Sequence, residues 1–497
     1  MRTGGAPVIV VTATGREAED AAAVLPELVP GARAAVFPSW ETLPHERLSP
    51  SLDTVGRRVA VLRRLAHPDP SDPLGEPIDV LFTSVRAFLQ PVVRDMADVV
   101  PVRLAEGDDV VLEEVVEALV LSGYERVDLV ERRGQVAVRG GILDVFPPTE
   151  EHPLRVEFWG DTVEEIRSFS VADQRSLEIA EQGLWAPAVR ELLLTPEVRA
   201  RAATLAREQP HLIDMCDKLA HGIAVEGMES LAPVLTDGMV APLELIDGRA
   251  HIVLLEPERI RRRAHDIVRT AEEFLMASWH NATVGNDTPI DLASASYRDL
   301  SDVRAVAEQR GDSWWRVTSL ASDVELDETV STAIRIAGRE LDSYRGDSAR
   351  AVEDLRTWVA AGDRVVLLAE GHGSVQRLVE ELADAGVAVT SVEDLPSPPQ
   401  AGVVTVTRGR LLHGFALPDA ALTVLTETDI VGQRSSTRDM RRLPSRRRRT
   451  IDPLSLSPGD YVVHEQHGVG RYVDMVQRTV GGAEREYLVL EYAASKR

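Results

Sequence analysis

The 497-residue chain is 44% hydrophobic and 27% charged, close to an average globular protein, which excludes wholesale disorder and a collagen-like repeat. Its length suggests about three to five domains. A formal net charge of -25 excludes a surface that coats nucleic acid throughout, because neutralising phosphates needs a basic face.

The first hundred residues predict alternating strand and helix. Val8 to Val11 is a short β-branched run, and Thr14-Gly15-Arg16-Glu17 follows it as a capping box, whose hydroxyl and carboxylate satisfy free amides at a helix start. The unit recurs with a strand at Ala35 to Phe37, a loop through Pro44 and a helix carrying Val55, Val59 and Leu62 on one face, then a strand at Val80 to Phe82. Alternation of this kind builds a parallel sheet covered by helices.

From about Tyr124 the period changes. Val127 to Arg132, Gln135 to Val138, Ile142 to Phe146, Leu154 to Phe158 and Val163 to Phe169 read as short strands, separated by turn signals at Gly134, Gly140-Gly141, Pro147-Pro148 and Gly160-Asp161. They predict an antiparallel insert. Helical sequence returns over Val189 to Glu208, then a buried strand at Ile252 to Leu255 and a helix from Pro257 to Leu275 resume the α/β domain. Beyond a polar stretch near Asn281 to Asp302, a helix near Arg339 to Ala360 opens another α/β unit, with strands at Val365 to Leu368, Val387 to Val389, Val403 to Val406 and Thr423 to Thr426 and a helix after Ser374. Residues 434 to 449 hold eight arginines and one aspartate, a basic linker. Three strand-like runs follow, Tyr461 to His464, Gly470 to Arg478 and Glu486 to Tyr492, with Gly481-Gly482 as a turn.

The apolar runs fall far short of the roughly 18 residues a membrane span requires, and the opening residues make no signal peptide. With the lone Cys216 forming no internal disulfide, the chain reads as cytoplasmic. Only Lys218 and Lys496 are lysines. Neither lies in the G-x-x-x-x-G-K-[ST] loop whose amides and ammonium hold nucleotide phosphates, so the sequence contains no Walker A site. Glu256-Pro257-Glu258 stands where a Walker B pair would, but proline fills the second place and reads as a helix start. Gly371-His372-Gly373 reads as an ordinary strand-helix turn, and His464 with His467 lacks further ligands at metal spacing. Arg446, Arg447, Arg448 and Arg449 are either a phosphate-gripping run or a solvated linker. Composition and spacing alone stop at a multidomain protein without an identifiable active site.

Three stretches together resemble one family. Phe37-Pro38-Ser39-Trp40-Glu41-Thr42-Leu43-Pro44-His45-Glu46, and then Val138 to Pro147 with Arg155-Val156-Glu157-Phe158-Trp159-Gly160-Asp161, resemble the UvrB-homology module of the bacterial transcription-repair coupling factor, Mfd. Gly459 to His464 running into His467-Gly468-Val469-Gly470-Arg471-Tyr472 is similar to the start of that family's RNA-polymerase-interacting domain, a Tudor-like barrel shared with CarD-type regulators.

The resemblance implies a multidomain α/β protein. Residues 1–106 would be the first part of a UvrB-like α/β domain, incomplete at its N-terminus, and 107–187 the β-rich, UvrA-binding insert. The α/β domain would resume over 188–300, with a small α/β domain at 308–433, the basic linker at 434–455 and a truncated polymerase-interacting domain at 456–497. Its DNA translocase modules, which use ATP and Mg, would follow Arg497, so no cofactor, metal or catalytic residue is expected within the 497 residues. Double-stranded DNA would be engaged mainly by that motor, with Arg446 to Arg449 a further candidate contact.

By the same resemblance, Arg139, Arg155 and Trp159 would contact UvrA. Alternation places Arg155 and Trp159 on one strand face and Phe158 on the other; two guanidiniums can bond partner carboxylates in bidentate fashion and an aromatic side chain supplies an anchor that is buried on binding, which suits an interface. The competing reading is a core tryptophan between solvated arginines. Val469, Gly470, Arg471 and Tyr472 would contact the β subunit of RNA polymerase. Overall the chain reads as an adaptor; a UvrB-type repair helicase subunit and a CarD-like transcription regulator are the alternatives.

Overall fold

A computed structural model describes residues 5–44, 48–70, 72, 75–284, 295–319, 332–341, 344, 346–393, 395, 398–431, 459–464, 468–480 and 483–491. The chain divides into two units, one of residues 1–22, 32–319 and 444–497, the other of residues 23–31 and 320–443.

The first unit is built on three early strands, β1 (Val8–Thr12), β2 (Ala34–Phe37) and β3 (Val80–Ser84), joined by His251–Leu255 and Ser313–Val317. They form one parallel sheet in the order 313–317, 251–255, β1, β3, β2. Central β1 is apolar nearly throughout because helices cover both faces of a parallel sheet. Ile9, Val11, Leu81, Ile252 and Leu254 meet Val55, Val59 and Leu62 of a helix in its core. Two helices follow the expected local chemistry. At the start of α1 (Gly15–Leu28), Thr14 N–H donates to Glu17 Oε2 (3.0 Å) and Glu17 N–H donates to Thr14 Oγ1 (3.3 Å). At α2 (Leu52–Ala66), Ser51 Oγ accepts from Thr54 N–H (3.2 Å), a cap worth about 1 kcal/mol.

Val102–Leu104 pairs antiparallel with Leu184–Ala186, and this two-stranded stem carries the insert. Beyond it, six strands form a sheet in the order Ser176–Ile179, Thr162–Phe169, Leu154–Trp159, Ile142–Val145, Gln135–Arg139, Glu125–Arg126. All neighbours are antiparallel except the last pair. One face packs Leu143, Val145, Leu154, Val156, Val163 and Ile166 against Val115, Val116 and Leu119 of the helix Leu112–Leu121.

The insert also rests on α2. A Cβ at Gly56 would stand 1.9 Å from Pro148 Cγ, so only glycine admits this approach, and Arg133 pairs with Asp53 at 3.2 Å.

In the second unit the strand order is Arg339–Glu340, Phe415–Leu417, Leu422–Thr426, Arg364–Ala369, Val403–Arg408, Val389–Ser391. Its four-strand part is parallel and the first two strands join antiparallel. The helices Ser348–Ala361 and His372–Asp384 bury Ala351, Leu355, Leu378 and Leu382 on it. Tyr461–His464, Gly468–Val480 and Ala483–Glu491 make a three-stranded antiparallel sheet.

Several expectations are corrected. The helix Leu300–Arg310 and the strand Ser313–Val317 belong to the first sheet, so the break expected between 300 and 308 moves to 319. Val127 to Arg132 is not a strand, since the Gln135 carboxamide oxygen accepts from Glu131 and Arg132 N–H and folds that segment into turns. The helix expected from Val189 begins at Pro196, where Thr195 caps Val198 N–H and proline takes the first turn. Arg339–Glu340 is a short strand, with the helix starting only at Ser348. The helix from Pro257 runs on to Val284. Among the described residues no helix is long and apolar enough to cross a membrane.

Candidate protein-binding site

The insert sheet's second face carries the residues singled out above. Strand parity puts Arg155, Glu157 and Trp159 on it while Leu154 and Val156 enter the core. Cross-strand register then sets Ala137, Asp144, Arg155 and Arg167 in one row, and Glu157 opposite Glu165.

Asp144 is 1% exposed and sits between two arginines. Arg155 Nε donates to its Oδ1 (2.7 Å) and Arg155 Nη2 to its Oδ2 (2.9 Å), while Arg139 Nη2 donates to the same Oδ2 (2.9 Å). Arg155 also donates from Nη1 to the Gln174 carbonyl (3.3 Å) and stacks 4.7 Å from the Phe169 ring centre. Donating to the Asp144 carboxylate raises the Arg155 pKa above its usual value, so this guanidinium is a permanent cation.

The two arginines therefore differ. The Arg155 side chain is 14% exposed and its bidentate edge is taken by its own Asp144, which corrects the expectation that this edge faces a partner's carboxylate; Arg139 is 51% exposed. Trp159, 80% exposed, is no core residue. It lies four residues beyond Arg155, roughly 13 Å along the strand. Phe158 packs toward the core, on the opposite face.

Composition and spacing gave no sign of Asp144, Gln174 or Phe169, although parity would have placed Asp144 and Arg155 on one face once the register was known. Arg167 shares the row and pairs with Glu165 (2.5 Å), each holding the other charged: the hydrogen bond raises the arginine pKa and lowers the carboxylate's.

Three family models match: a UvrB interaction domain over residues 102–190, an MFD D3 domain over 360–430 and a CarD-like/TRCF RID domain over 456–497. The transcription-repair-coupling factor of Mycobacterium tuberculosis is 47% identical over 99% of this chain. The chain belongs to the transcription-repair-coupling factor family. Relatives from Bacillus subtilis and Myxococcus xanthus are 26% and 28% identical over 98% of the chain. The alignments cover 40% of the mycobacterial factor and 42% of each of the other two, so the chain spans about two fifths of the curated relatives it matches.

The UvrB interaction match starts and ends at the stem strands, and all three candidate residues of the insert lie inside it. The motif Phe37 to Glu46, one of those that carry the coupling-factor resemblance, is spent on internal contacts over its described part. Arg58 Nη1 donates to the Pro38 carbonyl (2.8 Å), Trp40 Nε1 to Glu191 Oε1 (2.9 Å), and Ser51 Oγ to Glu41 Oε1 (2.7 Å). His45 and Glu46 lie outside the described residues.

In the CarD-like segment the register pairs Val469 with Val463, Gly470 with Val462, and Arg471 with both Tyr461 and Glu491. Arg471 Nη2 donates to Glu491 Oε2 (2.5 Å) on the exposed surface. Tyr472 is buried, which favours a packing role over a contact. Arg446 to Arg449, His467 and the Gly481-Gly482 turn lie outside the described residues.

Glu256 starts the Pro257 helix with a left-handed φ of 55° and accepts from Ser319 N–H through Oε1 (3.0 Å), so this carboxylate too has an internal partner. Among the described residues no group of three His, Cys, Asp or Glu side chains could hold a metal.

Proposed function

We propose that this chain is the adaptor portion of a transcription-repair coupling factor, recruiting UvrA through the insert to RNA polymerase engaged by the C-terminal sheet. The observation that carries the reading is the insert's outer face. An 80% exposed tryptophan offers a partner a large, rigid aromatic surface to bury. On the same sheet face, two strands away, Arg139 keeps the outer edge of its guanidinium open, and both residues lie within the UvrB interaction match. An aromatic anchor and an arginine presented on one face are the composition of an interface hot spot.

The polymerase contact rests on the CarD-like match over 456–497, with Val469, Gly470 and Arg471 the candidate residues and closure of a Tudor-like barrel part of the proposal. Double-stranded DNA is assigned mainly to the motor of the longer relatives, with Arg446 to Arg449 as a further candidate contact. ATP and Mg belong to that motor as well, and no cofactor is assigned here. The missing Walker lysine argues against the UvrB-helicase alternative.

Titration calorimetry of the 497-residue chain with purified UvrA tests the central claim. Binding that falls at least tenfold in both Arg139→Ala and Trp159→Ala is expected. Binding that neither substitution weakens would refute it.

A further inference from the structure

We infer that Asp144 is the positioning residue of this interface: its buried carboxylate fixes Arg139 so that a partner's acidic group meets the outer edge of a guanidinium already held in place. The inference rests on the UvrA reading above and adds the partner's chemistry, a carboxylate for Arg139 and, separately, an apolar recess for Trp159.

The argument starts from what an exposed arginine lacks. A free guanidinium at the end of a four-bond side chain samples many rotamers, and immobilising it on binding lowers affinity by a factor of several. Here Asp144 removes that freedom in advance. It is 1% exposed on a central strand and is itself locked by the Nε and Nη2 bonds of Arg155. Arg155 is clamped in turn by the Gln174 carbonyl and the Phe169 ring. Rigidity is thus passed from the insert's second small core, where Phe169 packs with Val130, Ala137 and Phe146, through Arg155 and Asp144 to Arg139.

The charges point the same way. Asp144 takes one unit of charge from the two guanidiniums and Glu157, on the same face, acts on Arg155, so what an acid meets is the open edge of Arg139 rather than a net positive field. Arg139 spends Nη2 on Asp144 and is 51% exposed, which leaves the donors on its outer side for a partner. Arg167, the next cation in the row, is matched by Glu165 and Arg155 is held by Asp144, so Arg139 is the cation of this row-and-neighbour set with the most open side chain.

The experiment is a double-mutant cycle in the full chain, read as the dissociation constant for purified UvrA. Asp144→Asn is expected to weaken binding about five- to tenfold. In an Arg139→Ala background the same change should have almost no further effect, because the group through which it acts is gone. A purely structural role would weaken both backgrounds alike and would overturn the inference, as would unchanged or tighter binding by Asp144→Asn.

Should that variant fail to fold, Arg139→Lys provides an independent test on an exposed residue. Lysine keeps the charge but cannot bridge two carboxylates in a fixed plane, so a loss of about fivefold or more is expected, and wild-type affinity would overturn the inference. If the wild-type chain does not bind UvrA, the underlying reading fails and takes the inference with it. If the wild type binds but the cycle shows no coupling, the inference alone fails.

Discussion

Replacing Glu191 with leucine should loosen the junction between the insert and the α/β body more than any other single change considered for this chain. Its carboxylate accepts Trp40 Nε1–H at 2.9 Å and Arg58 Nε–H at 2.5 Å, and the side chains of Arg58 and Glu191 are 0% and 2% exposed. Removing the acid strands a buried guanidinium, which costs about 3–5 kcal/mol. Stacking of Arg58 on Phe37, 4.4 Å from the ring centre, survives the change and therefore offsets none of that loss.

The matched double replacement Arg58→Met with Glu191→Leu should behave differently, lying within about 2 kcal/mol of wild type, because it removes the desolvation penalty along with the attraction. Arg58 Nη2 and Glu191 Oε2 already lack partners, which makes the native pair an imperfect one. A multidomain chain need not unfold in one step, so the readout is amide hydrogen exchange in α2 and in Leu184–Ala186. The single variant should exchange about a hundredfold faster or more there, and the double variant far less. Exchange within about threefold of wild type for Glu191→Leu, or equal damage in both proteins, would refute the reasoning.

Gly56→Ala should destabilise by about 1–3 kcal/mol and expose the insert to proteolysis, because its Cβ would overlap Pro148; undiminished thermal stability would contradict this. Arg155→Ala should lower the insert's stability as well as UvrA affinity by leaving the buried Asp144 short of its bidentate partner, whereas Trp159→Ala should lower affinity alone, a distinction that melting curves beside calorimetry would reveal. Glu150, whose pKa burial raises despite the nearby Arg133, contributes stability when protonated, and that contribution is present below the unfolded carboxyl pKa and lost as pH rises through the higher folded one. Glu150→Gln should therefore melt like wild type near pH 4 and slightly higher at pH 7; a variant less stable at pH 7 would show the sign to be wrong.

Local chemistry was readable wherever neighbours in sequence settle it. The Thr14 to Glu17 box, the β-branched strand Val8–Thr12 and the alternation through Leu154–Trp159 appear as expected. What escaped depends on distant residues. Ser313–Val317, with two tryptophans and an arginine, has neither a clean alternation nor an apolar run, and becomes a strand by pairing with His251–Leu255. Val189 lies in alanine- and arginine-rich sequence of helical character, but the chain reserves it for the insert core and delays the helix to Pro196. At the candidate site, parity revealed which side Arg155 and Trp159 share. Only the register of Ile142–Val145 against Leu154–Trp159 shows that Arg155 is held by Asp144 and that Arg139 is the more open of the two.

The stem has a mechanical consequence. Val102–Leu104 and Leu184–Ala186 run antiparallel side by side; they share the insert's core through Leu104, Leu184 and Ala186 and are its two backbone connections to the α/β body. A pull that has parted the α2 contacts at Pro148 and Arg133 stretches both strands lengthwise and in the same sense. The hydrogen bonds between them are then neither sheared nor unzipped, and the tension divides between two covalent backbones. Such a tether can hold a large partner against a moving one without relying on its weakest bonds.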